Sequence, residues 1–450
     1  MKYIEFINHA SVYFTDGSFG LLTDPWYSGN SFDDGWSLIY ENNHEDITNL
    51  LDKTDYIWIS HEHPDHFSVG FYKKYLNKIK ENKIKIIFQK TKDRRVIDFF
   101  SKQKIETIEL SDFEVFKISE NFSLKIQKFD FYDSALFLEI NNIKIFNLND
   151  CPIKNENEIK KIRNRYGSCD ILLTQFSYAA WKGGAQNLEW RKKAAYEKRQ
   201  TLIKQSNLLG AKILIPFASF IFFNNMYNFY LNDSSNRPED IIKLKDEIIS
   251  DIVFLRPNEK QIIDNIKQDT ASLIFWNEKY KNIFNKKLQQ TKKYEKNEIE
   301  IYFQEYCKRI FSKNSKFLMK IISKIKFLSI FQTLNIHLKD HNENVKVDLI
   351  NQKLTFANNL KPDIELNSSS LIYIFRFDFG FDTLTVNGCF EEKSFKGFAK
   401  MSKLFAIGNL NNMGHMINYR LILNLKLIFL FLKKLATVQL KLKKRNLSEN

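Results

Sequence analysis

Short apolar runs alternate with amphipathic stretches through the first half of the chain. Apolar runs of about four to eight residues predict buried strands, and apolar residues three or four apart predict helices. The predicted strands are Tyr3–Ile7, Ser11–Phe14, Gly20–Thr23, Tyr56–Ile59, Ile84–Phe88, Phe122–Phe129, Ala135–Ile140, Ile143–Leu148, Asp170–Thr174 and Lys212–Pro216. The predicted helices are Val69–Asn82, Lys92–Lys102, Glu156–Tyr166 and Leu188–Ser206. This order is typical of an α/β domain in which mixed sheets lie between helices.

The second half follows a different pattern. From Asn258 to Ser329 it is helical, rich in lysine and poor in glycine and proline. Beyond that stretch we predict strands Leu334–Lys339, Val345–Leu349 and Lys353–Ala357, helix Ser368–Phe377 and strand Thr383–Phe390. The chain is therefore predicted to divide into an α/β metal-binding domain at 1–260, a helical connector at 261–333 and a smaller α+β domain at 334–450.

The amino-acid composition restricts the classes of function that the chain can have. The 450 residues carry a net charge of +15, 44% hydrophobic and 27% charged residues, which is typical of a globular chain. The lysines are spread along the chain, and no basic stripe with interleaved aromatics indicates nucleic-acid binding. The excess charge is compatible with a small anionic substrate or with an anionic membrane surface. Four isolated cysteines and an N-terminus that begins directly with a strand predict a cytoplasmic protein with reduced thiols.

The stretch Leu421–Leu442 is apolar but interrupted by Asn424, Lys426, Lys433 and Lys434. It is too interrupted to predict a transmembrane helix. Two interpretations stay open, namely a buried helix of the C-terminal domain or an interfacial helix that brings the protein to the periphery of an anionic membrane.

One loop concentrates potential metal ligands. His61, His63, Asp65 and His66 lie within six positions, directly after the apolar run Tyr56–Ile59. Imidazole nitrogen and carboxylate oxygen suit zinc, iron and manganese, and the end of a buried strand holds such groups rigidly. A polar loop that is only by chance rich in histidine is the alternative, and the spacing favours a metal site.

The pattern His-x-His-x-Asp-His resembles the signature of the metallo-β-lactamase superfamily. Within that superfamily, several segments resemble the metallo-hydrolase portion of CMP-N-acetylneuraminate hydroxylase-like proteins. These segments are Thr23–Trp36, Asn149–Cys151, Ile215–Ala218 and Arg256–Pro257, while Asn8–Val12 with Leu22–Trp26 resembles the opening strands of the branch that includes lactonase-like and phospholipase-D-like hydrolases. The resemblance covers roughly residues 1–260 and implies an αββα sandwich.

The resemblance also implies a centre of two divalent metal ions, with zinc as the expected metal. His61 and His63 would hold the first ion, Asp65 and His66 the second, and Asp150 would bridge them. Such a centre generates hydroxide at neutral pH, which predicts hydrolysis of an ester, amide or phosphodiester with Asp65 and Asp150 at the reacting centre.

Two positions depart from the family pattern, because no histidine lies between His66 and His337. The missing third histidine of the first site could be replaced by Asp130 or Asp133. The place of the last histidine is taken by Asn225, which is a weak ligand. With these changes iron or manganese becomes as plausible as zinc.

Other residues are predicted around the ligands. His9 and Asp24 are expected to orient ligating groups, although His9 could also be an ordinary core histidine. Trp26 could line a substrate pocket or pack under a lid. Lys182, followed by two glycines, could receive an anionic group or lie in a solvated turn.

Three functions remain open on the sequence. The first is a metal-dependent hydrolase acting on an anionic sugar or lipid substrate. The second is a sugar-nucleotide monooxygenase, which would need a separate electron-transfer partner because the paired Cys-x-His and Cys-x-x-His ligands of a Rieske cluster are absent. The third is a binding scaffold without turnover.

Overall fold

The computed structural model describes residues 1–129, 132–325 and 328–420. They divide into two compact units. The first unit consists of residues 1–182, 187–224 and 229–288, and the second of 183–186, 225–228 and the described residues from 289 onwards. Asp130 and the stretch Leu421–Leu442 lie outside the described residues.

Strands dominate the first unit. They are β1 (Tyr3–Asn8), β2 (Ser11–Thr15), β3 (Gly20–Thr23), β4 (Asn30–Ser31), β5 (Trp36–Leu38), β6 (Tyr56–Ile59), β7 (Lys85–Gln89), β8 (Thr107–Leu110), β9 (Phe116–Lys117), β10 (Phe122–Phe129), β11 (Asp133–Ile140), β12 (Ile143–Asn149), β13 (Ile171–Gln175), β14 (Ile213–Phe217), β15 (Ile221–Phe223), β16 (Asp251–Ile252) and β17 (Glu259–Ile262). The helices are α1 (His44–Asp52), α2 (Val69–Lys74), α3 (Leu76–Glu81), α4 (Arg95–Lys102), α5 (Glu156–Tyr166), α6 (Leu188–Leu209), α7 (Pro238–Ile242) and α8 (Thr270–Asn282).

The described strands of this unit form two seven-stranded sheets and one small sheet. Their orders are β17-β1-β2-β3-β6-β7-β8, β16-β14-β13-β12-β11-β10-β9 and β15-β5-β4. Strands β3, β6, β7 and β8 run parallel in the first sheet, and β12, β13, β14 and β16 run parallel in the second. The carboxyl ends of each parallel set therefore meet at one edge of their sheet, where loops can gather functional groups.

Side-chain alternation in the first sheet explains the layering. Successive residues of a strand face opposite sides of the sheet. Trp58 points into the core shared with the second sheet, whereas its neighbours Ile57 and Ile59 pack with helices α1 to α4. Helices α5 and α6 pack on the second sheet through residues such as Ile162 and Leu202. The first unit is an αββα sandwich, as the sequence predicts.

The predicted single helix Val69–Asn82 is wrong as one element. It is divided at Tyr75, whose backbone leaves the helical region with φ −107° and ψ 16°. The Tyr75 ring stacks on the His44 imidazole of α1 at 5.4 Å between ring centroids, and its hydroxyl lies 3.1 Å from His44 Nδ1. Packing against a neighbouring helix thus overrides local helix propensity.

The second unit is a smaller α+β structure. It contains β18 (Leu334–Leu338), β19 (Glu343–Asp348), β20 (Lys353–Phe356), β21 (Ile364–Leu366), β22 (Phe390–Glu392), α9 (Lys296–Lys313), α10 (Lys316–Lys324), α11 (Ser368–Arg376), α12 (Gly380–Asn387) and α13 (Gly397–Asn412). The sheet has the order β20-β19-β18-β21-β22. Within the described ranges, no helix combines the length and the apolar character that spanning a bilayer requires.

The predicted strand Thr383–Phe390 is also wrong, since most of it belongs to α12. Phe381 and Leu384 are buried at helical spacing, and Gly388 ends the helix in the left-handed conformation with φ 70°. Glycine adopts that conformation without steric cost and commonly ends helices. Only the last predicted residue, Phe390, begins a strand.

Candidate metal centre

The histidine loop begins where β6 ends, at the edge formed by the carboxyl ends of β3, β6 and β7. A turn closes the loop, because the backbone N–H groups of His66 and Phe67 both donate to the carbonyl of His63. Ser68 then caps α2 by accepting from Phe71 N. The strand end and the helix cap together fix the positions of the ligand candidates between them.

A first group of ligand candidates contains His61, His63 and Asp150. His61 Nε2 lies 2.8 Å from His63 Nδ1 and 3.9 Å from Asp150 Oδ2. The other nitrogen, His61 Nδ1, lies 2.9 Å from Ser60 Oγ, so the ring is held with Nε2 towards the group. Asp133 also approaches, with Oδ1 3.8 Å from His61 Nε2.

A second group contains His9, Asp65 and His66, all buried. Asp65 Oδ2 lies 3.3 Å from His9 Nε2 and 3.2 Å from His66 Nε2. His66 Nε2 is also 3.6 Å from Asp150 Oδ2, the same oxygen that faces His61. Asp150 therefore stands between the two groups.

Asp24 lies behind the second group. Its carboxylate accepts from Ser60 N at 2.7 Å, Ser60 Oγ at 2.8 Å and Asn149 Nδ2 at 2.6 Å, and lies 3.0 Å from His66 Nδ1. Since His66 Nδ1 is engaged by Asp24, Nε2 is the nitrogen available to a metal. A carboxylate in this position fixes the orientation of a ligating imidazole.

The charges around the centre are strongly coupled. Burial alone would raise the pKa of Asp65 and of Asp150, but the adjacent histidines hold both pKa values well below the usual range. Burial would lower the pKa of His66, yet Asp65 and Asp150 raise it well above its usual value. For His61 and His9 burial prevails and lowers the pKa. The carboxylates are thus ionised, and the two neutral imidazoles can offer lone pairs.

These residues fit a divalent metal ion. Asp65 Oδ1 and Asp150 Oδ1 are buried without a hydrogen-bond partner in the described part of the chain. An unpaired buried carboxylate oxygen is costly unless a cation lies nearby. A mixed set of imidazole nitrogens and carboxylate oxygens suits zinc, iron and manganese.

Aromatic rings form a wall around the ligand candidates. The Phe32 ring lies 5.7 Å from the His63 ring and 4.5 Å from Trp36, and Trp36 contacts Phe223 at 5.9 Å. The Trp26 ring lies 5.5 Å from His9 and is only 1% exposed. Trp26 is therefore buried against a ligand candidate, and a role for it in a substrate pocket or under a lid stays a prediction.

Lys198 lies within electrostatic reach of Asp150 and of two other lysines, Lys154 and Lys182. Lys198, on α6, is one turn before the buried Leu202 and two before Gln205, whose amide donates to Ile153 O at 2.8 Å. This helix face therefore lies against the loop that follows β12. Burial, then the charge on Lys154 and on Lys182, lowers the pKa of Lys198 to about 8, while Asp150 acts in the opposite direction. Of these lysines, the sequence predicts only Lys182.

Several residues that support the loop are not predicted from the sequence. Gln89 Nε2 at 2.9 Å and Ser134 Oγ at 2.6 Å both donate to the Ser60 carbonyl. Asn149 adopts a left-handed backbone with φ 54°. The sequence carries two signals for them, namely a polar residue that ends the buried strand β7 and an asparagine, which tolerates positive φ, directly before Asp150.

Asp133 and Asn225 are the remaining predicted ligand positions that the structure describes. Asp133 is at the start of β11 and contacts the first group as described. Asp130, the alternative to Asp133, lies outside the described residues. Asn225 belongs to the second unit, where its side chain accepts from Tyr227 N at 3.1 Å and its own N–H donates to Asn228 Oδ1 at 3.0 Å.

Comparison with known proteins agrees with the predicted resemblance. Residues 3–174 match the family model described as beta-lactamase superfamily domain. The chain is 25% identical over 279 residues to cytidine monophosphate-N-acetylneuraminic acid hydroxylase of Xenopus laevis, covering 58% of this chain and 45% of the relative. The same-named protein of Danio rerio is 24% identical over 259 residues, with 54% and 42% covered. The chain thus spans less than half the length of these relatives.

Among solved structures, CmlA, a diiron beta-hydroxylase from Streptomyces venezuelae, is similar with a TM-score of 0.41 at 13% identity. The similarity covers 58% of this chain and 54% of CmlA.

Proposed function

We propose that this chain, whose residues 3–174 form a β-lactamase superfamily domain, is a metal-dependent hydrolase with two divalent ions, zinc being the first choice and iron or manganese the alternatives. One observation carries the proposal. Asp150 Oδ2 faces His61 Nε2 at 3.9 Å and His66 Nε2 at 3.6 Å, so one carboxylate oxygen lies next to a histidine of each group of ligand candidates. The proposed first group is His61, His63 and Asp150, and the second is built on Asp65, His66 and Asp150.

Metal bound there would supply a nucleophile, because it lowers the pKa of water towards about 7. The protein side chains provide the geometry. Ser60 and Asp24 orient the imidazoles of His61 and His66 through their Nδ1 atoms. Phe32 and Trp36 restrict access of bulk water beside His63, which strengthens electrostatic interactions at the reacting centre.

The substrate we propose is an ester, amide or phosphodiester that carries negative charge, derived from a sugar or a lipid. Lys154, Lys182 and Lys198 support this substrate class, since Lys198 lies within electrostatic reach of Lys154, Lys182 and Asp150. A cluster of like charges beside a reacting centre concentrates oppositely charged ligands.

A second candidate is a hydroxylase that acts with a separate electron-transfer protein. It is supported by the names of the similar proteins from Xenopus laevis and Danio rerio. The sequence offers no paired Cys-x-His and Cys-x-x-His ligands that could hold a Rieske cluster.

Turnover assays separate the candidates. The purified chain, loaded with zinc, manganese or iron, should hydrolyse bis(p-nitrophenyl) phosphate or a simple lactone without reductant. Turnover of a sialic-acid nucleotide that requires oxygen and a ferredoxin-type partner would favour the hydroxylase. If the chain binds metal and is inactive in both assays, the hydrolase proposal fails and a binding scaffold replaces it.

A further inference from the structure

His9 lies at the turn between β1 and β2 and has an unusual backbone. Its φ is 34°, a region that residues other than glycine seldom adopt. The conformation is held from both sides, because His9 N donates to Asn8 Oδ1 at 2.9 Å and His9 O accepts from Ala218 N at 2.8 Å. This backbone directs the imidazole towards Asp65, and the ring is 2% exposed.

The distances between the imidazole nitrogens and the carboxylate oxygens of the second group and Asp150 are longer than those of strong ionic hydrogen bonds. Charge-assisted N–H···O bonds are typically about 2.7–2.9 Å long. The three separations that link His9, Asp65, His66 and Asp150 are 3.3, 3.2 and 3.6 Å. In a tetrahedral site with metal–ligand bonds of about 2.0–2.2 Å, neighbouring donor atoms are about 3.3–3.6 Å apart.

His9 approaches Asp65 at the same carboxylate oxygen that faces His66. Residues that only orient a ligand contact its far side, as Asp24 does at His66 Nδ1. His9 Nε2 instead faces Asp65 Oδ2, the same oxygen that faces His66 Nε2. The other oxygen, Asp65 Oδ1, has no partner in the described part of the chain.

From this geometry we infer that His9 is a direct ligand of the second metal ion, together with Asp65, His66 and Asp150. The inference rests on the proposed metal centre. It differs from the role expected from the sequence, in which His9 stands behind a ligand. It also supplies a fourth donor from the β1–β2 turn, distant in sequence from the histidine loop.

Two substitutions separate ligation from hydrogen bonding. His9→Gln keeps an N–H donor near the position of Nε2 and so preserves a hydrogen bond to Asp65, but it removes the imidazole lone pair. His9→Gly suits the positive φ and leaves a space for free imidazole. His337→Gln is the matched control, since His337 lies in the second unit and its Nδ1 contacts Asn344 Oδ1 at 2.8 Å.

The measurement is cobalt stoichiometry and the visible cobalt spectrum of the full chain, with circular dichroism to verify folding. We expect two ions in the parent and in His337→Gln. In His9→Gln and His9→Gly we expect the second ion to bind at least about ten-fold more weakly, and imidazole to restore its affinity and spectrum in His9→Gly.

Two ions bound with parental affinity in His9→Gln would overturn the inference, as would a folded His9→Gly that imidazole does not restore. Either result leaves the proposed centre intact. A parent chain that binds no cobalt, zinc, manganese or iron would instead refute the centre itself and the inference with it.

Discussion

The Asn149 side chain donates to Asp24 Oδ2 over 2.6 Å. Asp24 follows β3 of the first sheet and Asn149 ends β12 of the second, so this bond joins the two sheets beside the ligand candidates. Asp24 is 1% exposed and accepts several hydrogen bonds in addition. Ser60 and Asn149 therefore hold the Asp24 carboxylate in place where it faces His66 Nδ1.

We expect Asp24→Asn to weaken zinc binding about 10- to 100-fold, because His66 loses the carboxylate that fixes its orientation. Competition with a chromophoric chelator measures the affinity. Asp16→Asn is the control, since Asp16 accepts hydrogen bonds in a surface turn from Ser18 N and Phe19 N. Equal affinities for the two variants would contradict the orienting role of Asp24.

Joint replacement of His61 and His63 by alanine should remove bound metal and abolish turnover, because the first group then keeps only carboxylates. Elemental analysis after dialysis against a low concentration of zinc gives the metal content. The paired change of His337 and His341 to alanine should alter neither metal content nor turnover. Full metal retention in the first double variant would refute the assignment.

Asp133 is one of the two carboxylates that could complete the first group, and its Oδ1 lies 3.8 Å from His61 Nε2. We expect Asp133→Ala to lower metal affinity about 10- to 100-fold, as altered coordination shells typically do. Asp130→Ala serves as the comparison under identical titration conditions. If Asp133→Ala binds as the parent does, a different group completes the site.

Lys198 should confer a pH dependence on the binding of anionic substrates. Its pKa of about 8 means that it is charged below pH 8 and loses its charge as the pH rises through that value. KM for an anionic phosphodiester should therefore rise above pH 8, while KM for a neutral ester should not follow this change. Lys198→Met should show a raised KM at pH 7 and a flat profile from pH 7 to 9, and a persistent rise in that variant would exclude Lys198.

The sequence locates much of the fold because burial dominates strand formation. Tyr56–Ile59 and Phe122–Phe129 are predicted and observed with the same bounds, since both are apolar at the positions that face the core. The helix Gly380–Asn387 is missed because Thr383, Thr385 and Val386 favour strands locally. Its buried Phe381 and Leu384 decide the outcome through tertiary packing, which a local pattern does not reveal.

For the candidate centre, too, the sequence reveals local relationships but not those that depend on tertiary packing. His61, His63, Asp65 and His66 are close together in sequence, so their spacing alone reveals that they share a loop. The hydrogen bonds of Ser60 with Asp24 and of Asp24 with Asn149 span 36 and 125 residues, respectively. Contacts over such separations depend on the pairing of strands and on the approach of two sheets, neither of which composition or spacing encodes.

Strand β17 has a practical consequence for shortened versions of the chain. Its residues Glu259–Ile262 cover β1, which would otherwise be the outermost strand of the first sheet. Trp276 of α8, fully buried and stacked on Phe220 at 3.9 Å, then closes the core beneath. A fragment that ends before Glu259 would present the unpaired backbone of β1 as a template for strand addition and should self-associate, whereas one that extends to Leu288 retains its own cover.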